Sequence, residues 1–428
     1  MNVCPDCFGV RGLQRRIIEI RPDHDVGRCD FHPAKKGVPL ETVAALVDTA
    51  FRDNFVGGIA DTYGGEPEGD SLDEVVYDLT QAENEPVTDA IRDWLIENDH
   101  YWPPDGEEAF YSEEYGYARD HSRLAEPARQ WREFHRSLIH GQRFFNAEAR
   151  ELVEEIFRDV HQQRDNRKHG PVYLIAPGQP QSRFFRARIA NDETERERIE
   201  ANLAKHLGPP PERKRRAGRL NPAGVIGFYA AFDLDTCVAE LRPPVGSVVV
   251  AAEFTITEPL CVLDTTLFGS KPRPQDFYAR NAQERVAQWN FMRSFMAEIA
   301  RPISSGEEHL DYLPTQAVAE FLNQHHRFGV AGQMRTIDAI IYGSAQHPGG
   351  KNIVILGKAA VVGPPPGAPP PVDPEEDRWP SLSFMDPEPP APRIVPLPET
   401  LVKREVTGAS FTTRRHYDIG DRDFEDDA

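Results

Sequence analysis

A chain of 428 residues is long enough for several compact units and at least one sizeable core. Apolar residues at 39% and charged residues at 28% fit a soluble, globular protein, and the formal net charge of −20 argues against a general nucleic-acid binder, which needs an excess of Lys and Arg to displace counterions. No run approaches the roughly 18 apolar residues that span a bilayer, and MNVCPDCFGV lacks the charged-then-apolar layout of a signal peptide, so a cytoplasmic protein with no membrane partner is expected.

Three of the five cysteines crowd the first thirty residues, unlike the even, distributed framework of a secreted protein. CPDC and then CDFH offer Cys4, Cys7, Cys29 and His32, with His24 as a competitor for His32. Two-residue spacers let a tight knuckle aim both ligands at one ion, and zinc accepts such a tetrahedral S/N set. A segment this short, residues 1–38, buries little core of its own, so the metal would be structural. The other reading is four reduced side chains in a flexible N-terminus.

From 39 to 170 the apolar residues recur at helical spacing. Val43, Leu46, Val47, Ala50 and Phe51 share a face, PVTDAIRDWLIEND opens with a proline suited to a first turn, and Trp131, Phe134, Leu138 and Phe145 mark another stripe. Leu152, Val153, Ile156, Phe157 and Val160 complete a helical domain. At 171 the period changes: GPVYLIA, RFFRARIA, VIGFYAAF, GSVVVAAEFTI, PLCVLD, DAIIYG and NIVILG read as strands, with helices at 235–242, around 275–300 and in PTQAVAEFLNQHH. Some connections are too short for parallel crossovers, which predicts an α+β domain over 171–362 with a mixed or largely antiparallel sheet. Residues 363–428 combine a Pro-rich linker, an acidic tail and, at 400–418, one strand that could dock back.

Within the strand-rich segment, Arg186 lies in FFRAR, with Arg183 and Arg188 as register neighbours, and Arg219 precedes an Asn-Pro turn and the strand of Tyr229. Asp233 or Asp235 can cap the helix that carries Glu240, and Ser344 ends the DAIIYG run. A guanidinium at a strand end suits a diphosphate, a Tyr offers a stacking face, and a Glu can steady a developing oxocarbenium ion. Taken singly, an Arg or Glu at a strand or helix end is more often a solvated or paired surface residue.

Together, FFRAR, GRLNPAG, GFYAAFDLDTCVAEL, YLPTQAVAEFL and DAIIYGSAQHPGGKNIVIL resemble the RES domain, in that family's order, over roughly 178–358. The resemblance implies a fold like that of ADP-ribosyltransferases and a bacterial toxin or defence effector that consumes NAD. The toxin's partner would be an antitoxin, often of Xre type, and an oligomer is expected. It makes Arg186, Glu240 and Ser344 the name residues and Arg219 and Tyr229 further pocket residues. Implied is cleavage of the nicotinamide–ribose bond, with water, phosphate or a protein side chain as acceptor. The charged insert at 190–216 would form a lid or surface helix.

The N-terminal extension is similar to that of RES proteins with a HEPN-like domain, which raises a ribonuclease alternative through R-x(4–6)-H pairs: Arg129 with His135, and Arg164 with His169. A third alternative is a zinc-stabilised binding module without catalysis.

Overall fold

The computed structural model describes residues 1–58, 69–101, 108–279, 281–301, 308–364 and 391–408. The chain forms two compact units, Met1–Gly170 with Leu267–Phe295, and Pro171–Thr266 with the chain from Met296 onward.

In the first unit, strands β1 (Asn2–Val3), β2 (Gly27–Arg28) and β3 (Lys36–Pro39) make a small sheet of order β1-β3-β2, with α1 (Arg11–Ile20) between the first two in sequence. Helices α2 (Leu40–Asn54), α3 (Leu72–Thr80) and α4 (Glu85–Glu97) follow, and β4 (Phe55–Gly58) pairs with β5 (Gly116–Arg119). Val43, Val47, Ala50 and Phe51 of α2 are buried, as their spacing predicts. α3 starts at a reciprocal Ser71–Glu74 capping box, which satisfies two backbone donors at once.

Helix α5 (Glu126–His140) buries Trp131, Phe134 and Leu138, and α6 (Ala147–Phe157) buries Val153, Ile156 and Phe157. Phe145 departs from the expected stripe: α5 stops at His140, and Phe145 sits fully exposed with φ 55°. Residues 267–295, which the sequence groups with the strand-rich segment, pack in this helical unit. Phe291 and Phe295 pack edge to face against Trp131 and Phe157, and the Tyr278 hydroxyl donates to the Leu79 carbonyl at 2.8 Å. Their aromatic content finds its burial there.

The second unit contains a mixed sheet of eight strands. These are β6 (Val172–Ile175), β7 (Arg183–Ala190), β8 (Gly227–Ala231), β9 (Val248–Ile256), β10 (Leu260–Asp264), β13 (Ala339–Gly343), β14 (Lys351–Leu356) and β15 (Ile394–Glu405), in the order β15-β9-β7-β8-β14-β13-β10-β6. Only β10 and β13 run parallel. Outside it lie α7 (Glu193–Ala201), α8 (Leu203–Leu207), α9 (Leu234–Leu241), the second-unit end of α10 (Ala282–Ala300), α11 (Glu308–Asp311), α12 (Leu313–Gln324) and the hairpin of β11 (Phe328–Val330) and β12 (Gln333–Arg335). The fold is thus α+β. α7 and α8 occupy the charged insert, which takes the surface-helix form.

One sheet face builds the core: Phe184, Phe228 and Phe254 meet edge to face at 5.7 and 5.2 Å, flanked by Ile341, Ile353 and Ile355. The returning strand begins at Ile394, six residues before the expected start; residues 409–418 of that expectation lie outside the described ones, as does the linker at 365–390. Pro396 and Pro398 within β15 are tolerated because the strand is at the sheet edge, where a missing N–H costs no ladder partner. Its bulge between Leu397 and Val402 is closed by the Glu253 amide, which donates to the Thr400 hydroxyl at 2.8 Å.

Candidate active site

Two groups of side chains, one around Glu240 and one around Arg219, are built by strands and helices of the second unit. The Asp233 side chain caps α9 by accepting from the Thr236 amide, which fixes the helix direction and delivers Glu240 in its last turn. Ser344 follows β13, where its amide donates to the Gly350 carbonyl and closes the turn into β14. Across that turn Asn352 pairs with Tyr342 in register, so both side chains point to the same face.

Glu240 and Ser344 are in direct contact. Oε1 of Glu240 accepts from the Ser344 hydroxyl at 2.6 Å and from the Asn352 amide nitrogen at 2.7 Å. The Ser344 oxygen in turn accepts from the amides of Gln346 and His347, which orients its proton toward the carboxylate. Among the described residues Oε2 of Glu240 has no protein partner, and the side chain is exposed. One carboxylate oxygen is clamped while the other is open to a ligand.

Arg219 and Tyr229 form a second group. Nη1 of Arg219 donates to the Ile299 carbonyl at 2.7 Å, and its guanidinium lies 5.7 Å from the Tyr312 ring centre. The backbone around it is tightly held: Thr315 donates to the Arg219 carbonyl and Gln316 to the Gly218 carbonyl, while the Tyr229 hydroxyl donates to Asn221 and accepts from the Leu220 amide. A Cβ at Gly218 would lie 2.5 Å from that hydroxyl, so the turn needs glycine there. Tyr229 therefore anchors the Arg219 turn through its hydroxyl, and its ring is the part left for a ligand.

Arg186 enters differently. β7 and β8 pair only at Phe185 and Ala231 and then separate. Nη1 of Arg186 donates at 2.8 Å to the Tyr229 carbonyl in the gap, and the guanidinium rests 4.7 Å above the Phe228 ring. By strand alternation it shares a face with Phe184, opposite Tyr229 and Asn352, and it makes no direct contact with Glu240 or Ser344. Burial, with repulsion from Arg188, lowers its pKa to about 10, so it is charged at neutral pH. The Cys237 thiol senses both Arg186 and Glu240; burial pushes it up to about 12, which keeps it protonated. Burial likewise raises the phenols of Tyr229 and Tyr342, leaving neutral donors around the carboxylate. A cleft of about 740 Å³ in the second unit is lined by Ala297, Glu298, Ala300, Arg301 and Ala345, the residue after Ser344.

Residues 187–375 match the family model of the RES domain. No curated protein and no solved structure matches the chain. Arg219, Tyr229, Glu240, Ser344 and Asn352 fall inside the RES match, whereas Arg186 lies just before its start and Arg188 just within it.

Sequence reasoning missed Asn352, Tyr312 and Tyr342 in this RES segment. The first is a buried amide in an otherwise apolar strand, NIVIL, and that exception was the available signal. It also missed a chain of contacts from Asp233 through Thr236 to Nδ1 of His347, with both links at 2.7 Å. Because the Thr236 hydroxyl donates to Asp233, it accepts from His347, which places a proton on Nδ1 and leaves Nε2 as the acceptor.

In the first unit Cys4, Cys7, Cys29 and His32 form a compact cluster, their ligand atoms all within 4.8 Å of one another. Sulfur–sulfur distances of 3.9 Å (Cys4–Cys7) and 3.5 Å (Cys7–Cys29), and 3.4–3.9 Å from each sulfur to Nδ1 of His32, suit the edges of a tetrahedron around an ion with bonds of about 2.0–2.3 Å. The His32 amide donates to the Cys29 sulfur at 3.3 Å. Burial alone would raise the Cys29 thiol, but the amides of His32 and Phe31 and its other partners bring it down to about 7. On the far side of the ring, Nε2 of His32 lies 3.8 Å from Glu83, the carboxylate–histidine arrangement that orients a metal ligand. His24 is exposed and outside the cluster. The donor set fits a metal ion. Among the described residues no helix is long and apolar enough to cross a membrane.

Proposed function

We propose that the second unit is an NAD-cleaving enzyme that breaks the bond between nicotinamide and ribose. The reading rests on the RES match together with one observation: Glu240 holds one oxygen fixed by Ser344 and Asn352 while the other, on an exposed side chain, has no protein partner among the described residues. A carboxylate held this way needs no reorganisation to stabilise a cation, which is where charge appears in this reaction.

In the proposed step the C–N bond breaks heterolytically and its electron pair leaves with nicotinamide, which becomes neutral. The positive charge passes to the ribosyl oxocarbenium ion, against Oε2 of Glu240. Arg219 binds the diphosphate with Nη2, the terminal nitrogen not committed to Ile299, and Arg186 adds positive charge from the strand gap. The Tyr229 ring packs on the nicotinamide. Ser344 holds Glu240 and borders the ribose, and Nε2 of His347 can take the proton when water or phosphate adds to the cation. The first unit carries a structural zinc on Cys4, Cys7, Cys29 and His32, whose closed ligand set leaves no site for substrate. A controlling partner of antitoxin type and a bacterial, cytoplasmic setting complete the proposal.

The ribonuclease alternative gains no support from the geometry. Arg129 is bound to Glu126 at 2.6 Å and to Glu133, and Arg164 donates to the carbonyls of His161 and Gln163. His169 is paired with Asp165.

Incubation of the full chain with NAD, with and without phosphate, tests the proposal through its products. ADP-ribose signifies hydrolysis, ADP-ribose phosphate signifies phosphorolysis, and label retained on protein signifies transfer. Absence of free nicotinamide both in buffer and in cell lysate would refute cleavage.

A further inference from the structure

In a chain of net charge −20, one cavity of the first unit has the opposite sign. It measures about 240 Å³, and its walls include four guanidinium groups, Arg15, Arg164, Arg273 and Arg285, against the single carboxylate of Asp276. That carboxylate is already shared with Arg15 at 2.7 Å. Three arginines are therefore left facing the cavity without an acidic counter-group in its wall.

A second observation points the same way. Trp289, which lines the cavity and is only 1% exposed, has an indole N–H with no hydrogen-bond partner. One helical turn earlier, Nε of Arg285 is also buried and unpartnered. Residues four apart on a helix lie on one face, so two orphaned donors line the same wall. Buried donors without acceptors are rare in folded proteins, and an absent acceptor is the usual explanation. The cavity also sits at the start of α10, whose positive dipole end favours anions, with Ala279 and Ala282 in its wall.

We infer that this cavity binds a phosphate-bearing small anion, with Arg164, Arg273 and Arg285 supplying charge and the Trp289 N–H a neutral donor. Guanidinium forks match phosphate oxygens in pairs, and the enclosed volume exceeds that of a lone phosphate group. The site shares no residue with the Glu240 group and is independent of the NAD reading: Arg273, Arg285 and Trp289 lie within the matched residues 187–375, yet they belong with Arg15 and Arg164 to the first unit.

Calorimetric titration of the full chain at low salt with inorganic pyrophosphate, and separately with adenosine 5′-monophosphate, tests this. At least one should bind with one-to-one stoichiometry in the Arg219→Gln background, which removes the proposed diphosphate contact of the second unit, and added salt should weaken it. Arg273→Gln and Arg285→Gln should each lower affinity by about tenfold or more. Arg273 is exposed, so its substitution leaves folding intact. Trp289→Phe, which keeps the ring against Phe268, should lower affinity by a few-fold. Pyrophosphate binding would identify inorganic phosphate as sufficient, and binding of the nucleotide alone would show that the phosphate must be carried on an organic group. Heat from neither ligand, or wild-type affinity in both Arg273→Gln and Arg285→Gln, would overturn the site.

Discussion

At the scale of single residues, Glu240 differs from an ordinary solvated carboxylate in having one oxygen clamped. Ser344 and Asn352 donate to the same oxygen, and the buried Asn352 has no other role in an apolar strand. Asn352→Ala should therefore cost more turnover than affinity: kcat for NAD cleavage is expected to fall by about tenfold or more, because a loosened carboxylate no longer meets the cation in place. An unchanged kcat would make Asn352 a packing residue. Tyr229 tests a different link. Removing its hydroxyl in Tyr229→Phe leaves the Leu220 amide and Asn221 without a partner. Thermal or denaturant unfolding should show a loss of about 1–3 kcal/mol, accompanied by a raised KM because Arg219 rides on that turn. Arg186 was legible in FFRAR, but its place was not: only the separation of β7 from β8 shows that it fills a gap above Phe228.

Among the elements, strands were the most legible. VVVAAEFTI, AIIYG and NIVIL carry β-branched residues in runs that no other element suits, and all three lie inside the sheet. The ends of elements were less so. Phe145 continues a helical stripe in sequence, yet the chain has left α5 at Gly141 before reaching it. β15 was half hidden because Pro396 and Pro398 extend the proline-rich character of the segment before it, and local sequence does not show that the strand would take an edge. Ile394 is fully buried there, so the strand is part of the core rather than an appendage. Ile394→Ala is predicted to destabilise the second unit by about 2–5 kcal/mol. A shift below 1 kcal/mol in denaturant unfolding would mean that β15 docks only loosely.

On the scale of the whole molecule, the metal-ligand spacing and the change of period near 171 are both legible in the sequence. What spacing could not show is that residues 267–295 leave the strand-rich segment to join the helical unit, since packing partners distant in sequence decide that. The first unit should depend on its ion. Purified protein is expected to hold about one equivalent of zinc, and chelation or Cys7→Ser should lower its unfolding temperature because metal binding contributes to folding free energy. Full stability without metal would leave the four side chains as reduced core residues.

The most direct test of NAD cleavage at Glu240 is the rate of nicotinamide release by the full chain beside Glu240→Gln, with NAD affinity measured for both. Glutamine keeps the shape and the Oε1 contacts but removes the charge. Retained affinity with a rate about 100-fold lower or more is the predicted result. Equal rates from the two proteins would contradict it and move the chemistry away from this carboxylate.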